Sequence, residues 1–166
     1  LVADEVQCGM GRTGRMFACE HFGLRPDVIT LAKGIASGMP LGITAARAEV
    51  MAWPPGAHAS TFGGNPVSCA AALATIKLLR ESLVKNAETV GAYLKEGLQD
   101  LATRHPLIGD VRGKGLMVGV ELVRNRETKE RAVTERDYVV DACFRRGLLL
   151  LGAGLNTLRF SPPLIL

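Results

Sequence analysis

Aromatic residues are scarce in this sequence of 166 residues, which has five phenylalanines, two tyrosines and one tryptophan. Proteins that bind single-stranded nucleic acids need aromatic rings for base stacking and cations gathered on one face. Here the 20 lysines and arginines are scattered among 16 acidic residues, and the net charge is only +4. We therefore expect no nucleic-acid partner, and a non-catalytic basic binding module is kept only as an alternative.

Long apolar runs are also missing. No run approaches the ~18 consecutive apolar residues of a membrane span, and no signal peptide is visible. The sequence begins at Leu1 within a strand-like segment and ends in an apolar stretch at 161–166. We expect no membrane partner, and we expect the chain to be part of a longer protein.

The four cysteines, Cys8, Cys19, Cys69 and Cys143, show no C-x-x-C spacing. This pattern is typical of reduced thiols, so we expect a cytoplasmic protein without disulfides. Cys19 and His21 could share a metal ion, but a second pair of ligands is missing. The sequence predicts no metal site.

Short apolar strands alternate with loops and helices in the first part of the chain, which predicts an α/β fold. Asn65 and Pro66 form an N-cap and first-turn pair for a helix, and Thr134 is predicted to cap a helix that runs to Arg146. We expect a large-domain portion over 1–106 and a small, truncated α+β domain over 107–166. The predicted strands cover 1–7, 27–32, 113–123 and a pair within 148–164, and the other helices cover 66–82 and 83–104.

Gly9, Gly11 and Gly14 match the G-x-G-x-x-G dinucleotide fingerprint after a strand. That fingerprint requires a helix that opens at once, and Gly23 leaves room for barely two turns. It also requires an acid at the end of the next strand, whereas Asp27 stands at its beginning. We therefore set a dinucleotide site aside.

A stronger group comprises Asp4, Gln7, Lys33 and the loop STFGGNP at 60–66. Asp4 and Lys33 each stand at the end of a predicted strand, and ligands of α/β sheets bind at the carboxyl ends of strands. A lysine that forms a Schiff base and a carboxylate that keeps a pyridine nitrogen protonated together activate pyridoxal phosphate. Gly34 gives the backbone freedom beside the lysine, and Thr61 is a candidate phosphate ligand near a helix start. Taken singly, these residues also fit ordinary strand-end, solvent-exposed and turn positions.

Two long segments carry a family resemblance: ADEVQCGMGRTGRMFACEHFGLRPDVITLAKGIASGMPLG and HASTFGGNPVSCAAALAT. They resemble the class III (subgroup II) pyridoxal-phosphate aminotransferases, especially 4-aminobutyrate aminotransferases. The resemblance runs over nearly the whole chain. It implies the carboxy-terminal part of a fold-type-I enzyme, namely the end of the large α/β domain and most of the small domain.

The resemblance also implies roles for five residues around pyridoxal 5'-phosphate. Asp4 would pair with the pyridine nitrogen, Gln7 with the phenolic oxygen, and Lys33 would form the Schiff base and move the proton. Thr61 would bind the phosphate of the neighbouring subunit's cofactor, which implies a homodimer with shared sites. Arg159 would bind a substrate carboxylate, as guanidinium geometry allows.

The implied reaction transfers an amino group from an ω- or α-amino acid, as in 4-aminobutyrate, to a 2-oxo acid such as 2-oxoglutarate. A racemase or aminomutase of the same family is the alternative, since it keeps the same aspartate and lysine. The family's phosphate loop, ring-stacking aromatic and gating glutamate would precede position 1. We therefore do not expect this part of the chain to transaminate by itself.

Overall fold

The computed structural model describes residues 1–166, which form two compact units. The first unit is Leu1–Lys85 and the second is Asn86–Leu166. The boundary between these units falls within a continuous helical stretch rather than near residue 107. The predicted division into domains 1–106 and 107–166 concerns the domains of a whole enzyme and stays a prediction.

The first unit is built on a three-stranded sheet in the order β1-β2-β3. Its strands are β1 (Val2–Asp4), β2 (Val28–Leu31) and β3 (Ile43–Ala46). β1 and β2 are parallel, with Asp4 opposite Thr30, and β3 is antiparallel to β2. The strands predicted at 1–7 and 27–32 are confirmed as shorter segments. Because β1 and β2 are parallel, their carboxyl ends lie at the same edge of the sheet.

Two 3₁₀ helices flank β2. The first, Ala18–Phe22, ends at Gly23, whose φ of 62° is the left-handed conformation that glycine adopts without steric cost. The second, Lys33–Ala36, follows β2 after one residue. Ile35 and Ala36, each only 1% exposed, anchor this second helix by burial.

Helix α1 (Pro66–Leu78) begins as the sequence predicts. The Asn65 side chain accepts hydrogen bonds from the amides of Val67 and Ser68, and Pro66 occupies the first turn. The helical path continues through a π-helical turn at Leu79–Leu83 into α2 (Val84–Arg104). No helix of the structure combines the length and apolarity needed to cross a membrane.

The second unit contains an antiparallel sheet in the order β4-β5-β8-β7, with the short β6 paired to β5. Its elements are β4 (Ile108–Lys114), β5 (Met117–Asn125), β6 (Glu130–Arg131), α3 (Val133–Arg145), β7 (Leu151–Ala153) and β8 (Thr157–Phe160). The strand pair predicted within 148–164 is confirmed. The single strand predicted at 113–123 is a hairpin, because Gly113 (φ 141°) and Gly115 (φ 52°) turn the chain.

One face of this sheet forms the core of the second unit. Its buried residues are Leu98, Val111, Val118, Val120, Leu122, Ala132 and Leu158. Strand residues alternate between the two faces, so Arg159, next to the buried Leu158, lies on the face opposite the core.

Helix α3 starts two residues earlier than predicted. Ala132 is the N-cap and Thr134 lies inside the first turn, so the prediction of Thr134 as the cap is wrong. Ala132 is fully buried, and its amide donates to the carbonyl of Leu122 on β5. The packing of Ala132 on the sheet therefore fixes the helix start, in place of a capping side chain.

Candidate active site

The carboxyl edge of β1 and β2 presents the Asp4 carboxylate. Its Oδ1 accepts hydrogen bonds from the amide of Val6 at 3.0 Å and from the hydroxyl of Thr30 at 3.4 Å. Both bonds use Oδ1, so Oδ2 is available to a further donor such as a protonated ring nitrogen. This geometry fixes the orientation of the carboxylate at the strand end.

Lys33 lies at the same edge, in the second 3₁₀ helix. Its φ of 49° is unusual for a residue with a side chain, and such conformations concentrate at functional sites. The ammonium group donates a hydrogen bond to Oε1 of Gln7 at 2.5 Å. The structure therefore brings Gln7 and Lys33 into contact at the strand ends where Asp4 lies.

The end of the Lys33 helix is held against α1 by a pair of hydroxyl groups. The Thr75 hydroxyl donates its proton to the carbonyl of Ala71 at 2.8 Å, and it lies 2.9 Å from the hydroxyl of Ser37. Since Thr75 has only one hydroxyl proton, Ser37 donates to Thr75. This bond, together with the burial of Ile35, fixes the segment that carries Lys33.

A buried carboxylate, which the sequence analysis did not single out, lies next to Asp4. Glu5 is 3% exposed and accepts hydrogen bonds from the amides of Ala18 and Cys19 and from the thiol of Cys8. Burial and the hydrogen bond to Glu5 raise the pKa of Cys8 to about 12. The sequence pattern that could have predicted this buried carboxylate is an acidic residue at the end of an apolar strand, followed by a glycine-rich loop.

Thr61 lies on an exposed loop ahead of α1. Within the loop, the Ser60 hydroxyl accepts a hydrogen bond from the amide of Gly63 at 3.1 Å. A cleft of about 700 Å³ is lined by Ser60 and Phe62 of this loop and by Thr30 of β2, among other residues. No hydrogen bond links Thr61 to Asp4, Gln7 or Lys33, so its role at a neighbouring subunit's site stays a prediction.

Arg159 belongs to the second unit, on β8, where it is opposite Gly119 of β5 and Leu151 of β7. Its Nε is buried and has no hydrogen-bond partner. The Arg159 guanidinium forms no ion pair within the chain, so its role in binding a substrate carboxylate stays a prediction. By contrast, Arg112 on the same face is paired with Asp110 and Glu121, each at 2.8 Å.

Cys19 and His21 do not belong to a metal-binding cluster. The His21 Nε2 lies 3.0 Å from the carbonyl oxygen of Thr13 and 3.1 Å from its hydroxyl. No group of three or more His, Cys, Asp or Glu side chains in the structure could hold a metal ion.

The residues at the β1–β2 edge fit pyridoxal 5'-phosphate by their chemistry. Asp4 offers a free carboxylate oxygen, Gln7 an amide, and Lys33 an exposed primary amine. Apart from its chain neighbours and its own helix, no heavy atom lies within 4 Å of the position that a Cβ on Gly34 would occupy, so there is space beside the lysine. The carboxylate, the amide and the amine are suited to bind the ring nitrogen, the phenolic oxygen and the aldehyde of the cofactor, respectively.

Comparison with known proteins identifies the family. The class-III aminotransferase family model matches residues 1–166. The chain belongs to the class-III aminotransferases. This family depends on pyridoxal 5'-phosphate.

Among curated class-III relatives, a leucine/methionine racemase of Thermococcus litoralis is 50% identical, over 99% of this chain and 38% of its own length. An acetylornithine aminotransferase of Gloeobacter violaceus is 48% identical, over 99% of this chain and 40% of its own length. A solved amine transaminase from an uncultivated Pseudomonas species, in its PLP-bound form, matches 100% of this chain and 40% of its own. Its TM-score is 0.92 at 38% identity, which confirms the predicted α/β aminotransferase fold.

This class-III chain spans about 40% of the length of the curated relatives it matches. The relatives named above are a racemase and an acetylornithine aminotransferase, so they do not support the 4-aminobutyrate subgroup in particular. The comparisons therefore assign the family and not the substrate.

Proposed function

We propose that this chain supplies the lysine half of the active site of a pyridoxal-phosphate-dependent aminotransferase. The observation that carries the proposal is the contact between Lys33 and Gln7 at the strand edge where Asp4 lies. The parallel pairing of β1 and β2 brings a carboxylate, an amide and an amine together at a place typical of ligand binding in α/β sheets.

In this proposal, Lys33 holds the cofactor through its amine, and Asp4 holds the protonated ring nitrogen. Gln7 binds the phenolic oxygen. Bound pyridoxal phosphate withdraws electrons from the carbon that carries the substrate amino group, which makes the proton on that carbon removable. Once the substrate amine has displaced it, the Lys33 amine moves that proton as a general base and acid.

The substrates that we propose are an ω- or α-amino acid as donor and a 2-oxo acid, such as 2-oxoglutarate, as acceptor. Donors to test include 4-aminobutyrate, which the sequence resemblance suggested, and acetylornithine, which appears in the name of a relative 48% identical to this chain. We assign binding of the substrate carboxylate to the Arg159 guanidinium, which has no acidic partner within the chain. A bidentate arginine–carboxylate pair would fix the orientation of the donor's carboxylate.

We further propose a homodimer in the cytoplasm, in which Thr61 binds the phosphate of the neighbouring subunit's cofactor. The exposure of the Thr61 loop supports a role in contacts between subunits. All four cysteines are free, which is typical of a reducing compartment.

An amino-acid racemase is the second candidate, favoured by the racemase relative at 50% identity. The two activities separate in a single experiment. Full-length protein loaded with pyridoxal phosphate is mixed with an L-amino acid in the absence of any 2-oxo acid. We expect about one equivalent of 2-oxo acid per site, because a transaminase keeps the amino group after the first half-reaction. Accumulation of the D-amino acid without 2-oxo acid would instead identify a racemase.

A further inference from the structure

Glu5 is an acidic residue in an apolar environment. Only 3% of its surface is exposed, and it directly follows Asp4 at the end of β1. A buried carboxylate is costly unless its oxygens are hydrogen-bonded. A carboxylate in this buried position therefore has a structural or functional role, unlike the acidic residues that are exposed to solvent.

Three donors satisfy the Glu5 carboxylate. Oε1 accepts from the amide of Cys19 at 2.8 Å, and Oε2 accepts from the amide of Ala18 at 2.9 Å and the thiol of Cys8 at 3.0 Å. Burial acts to raise the pKa of Glu5, but hydrogen bonds from Cys8 and from the two amides outweigh it and lower the pKa. Glu5 is therefore ionised at neutral pH.

These bonds close a loop. The Glu5 amide donates to the carbonyl of Thr30 on β2, while its side chain holds the start of the first 3₁₀ helix, 13 and 14 residues further on. Gly9 turns directly over Glu5, since a Cβ on Gly9 would lie 2.7 Å from the Glu5 carbonyl oxygen. The segment 6–17 is thus fixed at both ends by one residue.

Gln7 lies inside this segment, two residues after Glu5, and it accepts the hydrogen bond of Lys33. We propose that Glu5 is a positioning residue that holds Gln7 where it contacts Lys33 and the cofactor. This inference rests on the proposed function, because it assigns to Glu5 the geometry on which that function depends. Glu5 acts through Gln7 and does not itself touch the reacting atoms.

The Glu5→Gln substitution tests the carboxylate with little change of shape. A glutamine offers one acceptor oxygen and an NH₂ group, so the NH₂ would face the amide of Ala18 or Cys19. The Cys19 amide, or the Ala18 amide together with the Cys8 thiol, then loses its acceptor, and the segment 6–17 loses one of its attachments. The Gln7→Ala substitution removes the contact between Gln7 and Lys33 directly.

The experiment is a double-mutant cycle on the affinity of the full-length protein for pyridoxal phosphate. We expect Glu5→Gln to weaken binding about tenfold, as loss of a hydrogen bond to a charged group predicts. If Glu5 acts through Gln7, the double variant binds no more than about twofold more weakly than Gln7→Ala alone. Glu135→Gln, which removes an exposed carboxylate paired with Arg124, is the matched control and should bind like wild type.

A second measurement uses the cofactor-free protein. Acetylation of Lys33, followed by peptide mass spectrometry with Lys77 as the internal reference, should be about fivefold faster in both Glu5→Gln and Gln7→Ala. This readout does not depend on activity or on a bound cofactor. Because the Lys77 side chain is 74% exposed in the folded protein, it corrects for reagent and protein concentration, and the ratio of Lys33 to Lys77 acetylation is the quantity compared.

Ala18→Pro covers the case in which Glu5→Gln fails to fold. Proline is tolerated at the first helical position, and the extended Phe17 (ψ 141°) suits a residue before proline. The variant removes one donor to Glu5 while leaving the carboxylate in place, and it should show the same two effects at smaller size.

Two results would overturn the inference: unchanged affinity and unchanged Lys33 acetylation, or a full additive effect of Glu5→Gln on Gln7→Ala. Failure of the wild-type protein to bind pyridoxal phosphate would overturn the proposed function instead. The acetylation assay would then still decide whether Glu5 positions Gln7.

Discussion

The amide oxygen of Gln7 accepts a hydrogen bond from the ammonium group of Lys33, although 26 positions separate the two residues in the sequence. The contact forms because β1 and β2 are parallel neighbours, and Gln7 and Lys33 lie three and two residues beyond their respective ends, Asp4 and Leu31. It places an amine, an amide and the Asp4 carboxylate at one edge of the sheet.

Replacing Asp4 with asparagine should slow proton removal from the substrate by at least ~10²-fold, because an electrostatic stabiliser of the protonated ring nitrogen is lost. Asparagine keeps an acceptor for the Val6 amide, so the fold should survive. A single-turnover measurement with full-length protein gives the rate. Asp100→Asn, which alters an exposed ion pair on α2, is the control. A rate for Asp4→Asn within twofold of wild type would refute the assignment.

Arg159→Ala should weaken substrates that carry a carboxylate by about 2–5 kcal/mol and leave simple amines much less affected. The reason is that the Arg159 guanidinium, which has no acidic partner within the chain, would pair with the carboxylate of the substrate. Comparing kcat/KM for an amino acid and for an amine without a carboxylate separates the two cases. Arg145→Ala removes an exposed arginine paired with Asp141 and serves as the control. Equal losses for both substrate classes would mean that Arg159 is structural.

Shared sites predict recovery of activity in mixed dimers. If each site takes Lys33 from one chain and Thr61 from the other, a dimer of Lys33→Ala and Thr61→Ala chains has one doubly altered site and one intact site. Co-refolding the two weak variants should therefore restore up to about one working site per mixed dimer, by the symmetry of a two-fold interface. Refolding each variant with itself is the control.

The mixed-dimer experiment also has a clear negative result. Mass spectrometry must first show that mixed dimers formed. If activity still does not recover, then Thr61 acts within its own subunit or has no role in the site.

Glu5 should make stability fall at acidic pH. Burial opposes ionisation, but the hydrogen bonds outweigh it, so the folded pKa lies below the ordinary 4.5. A lowered pKa contributes stability that is present above pH 4.5 and is lost as the pH falls through the folded pKa. Glu5→Gln should cost about 1–3 kcal/mol at pH 7 and show a flatter decline below pH 5. Urea unfolding from pH 7 to pH 3 measures both, and parallel curves for the two proteins would contradict this assignment.

The sequence predicts those site residues that lie at the ends of predicted strands. Asp4 and Lys33 each end an apolar segment, and two parallel strands bring such ends together. The cap at Asn65 was also predictable, because it depends on residues two and three positions away. Contacts between residues this close in sequence depend little on the rest of the fold.

Contacts distant in sequence were not predictable in the same way. Glu5 accepts hydrogen bonds from the amides of Ala18 and Cys19. The sequence around Glu5 does not show that a segment 13 and 14 residues further on packs against its carboxylate. The start of α3 was misplaced because tertiary burial of Ala132 outweighs the capping preference of Thr134. Both features depend on packing against elements that lie elsewhere in the chain.

Borohydride reduction of the full-length protein with pyridoxal phosphate tests the central assignment most directly, because reduction turns the lysine–cofactor bond into a stable amine. Peptide mapping should place the cofactor on Lys33, and Lys33→Ala should retain the fold while losing both the label and turnover. Gln7→Ala, which leaves the lysine in place, should still be labelled. A label on Lys77, Lys114 or another lysine would contradict the assignment of Lys33 as the cofactor-binding residue.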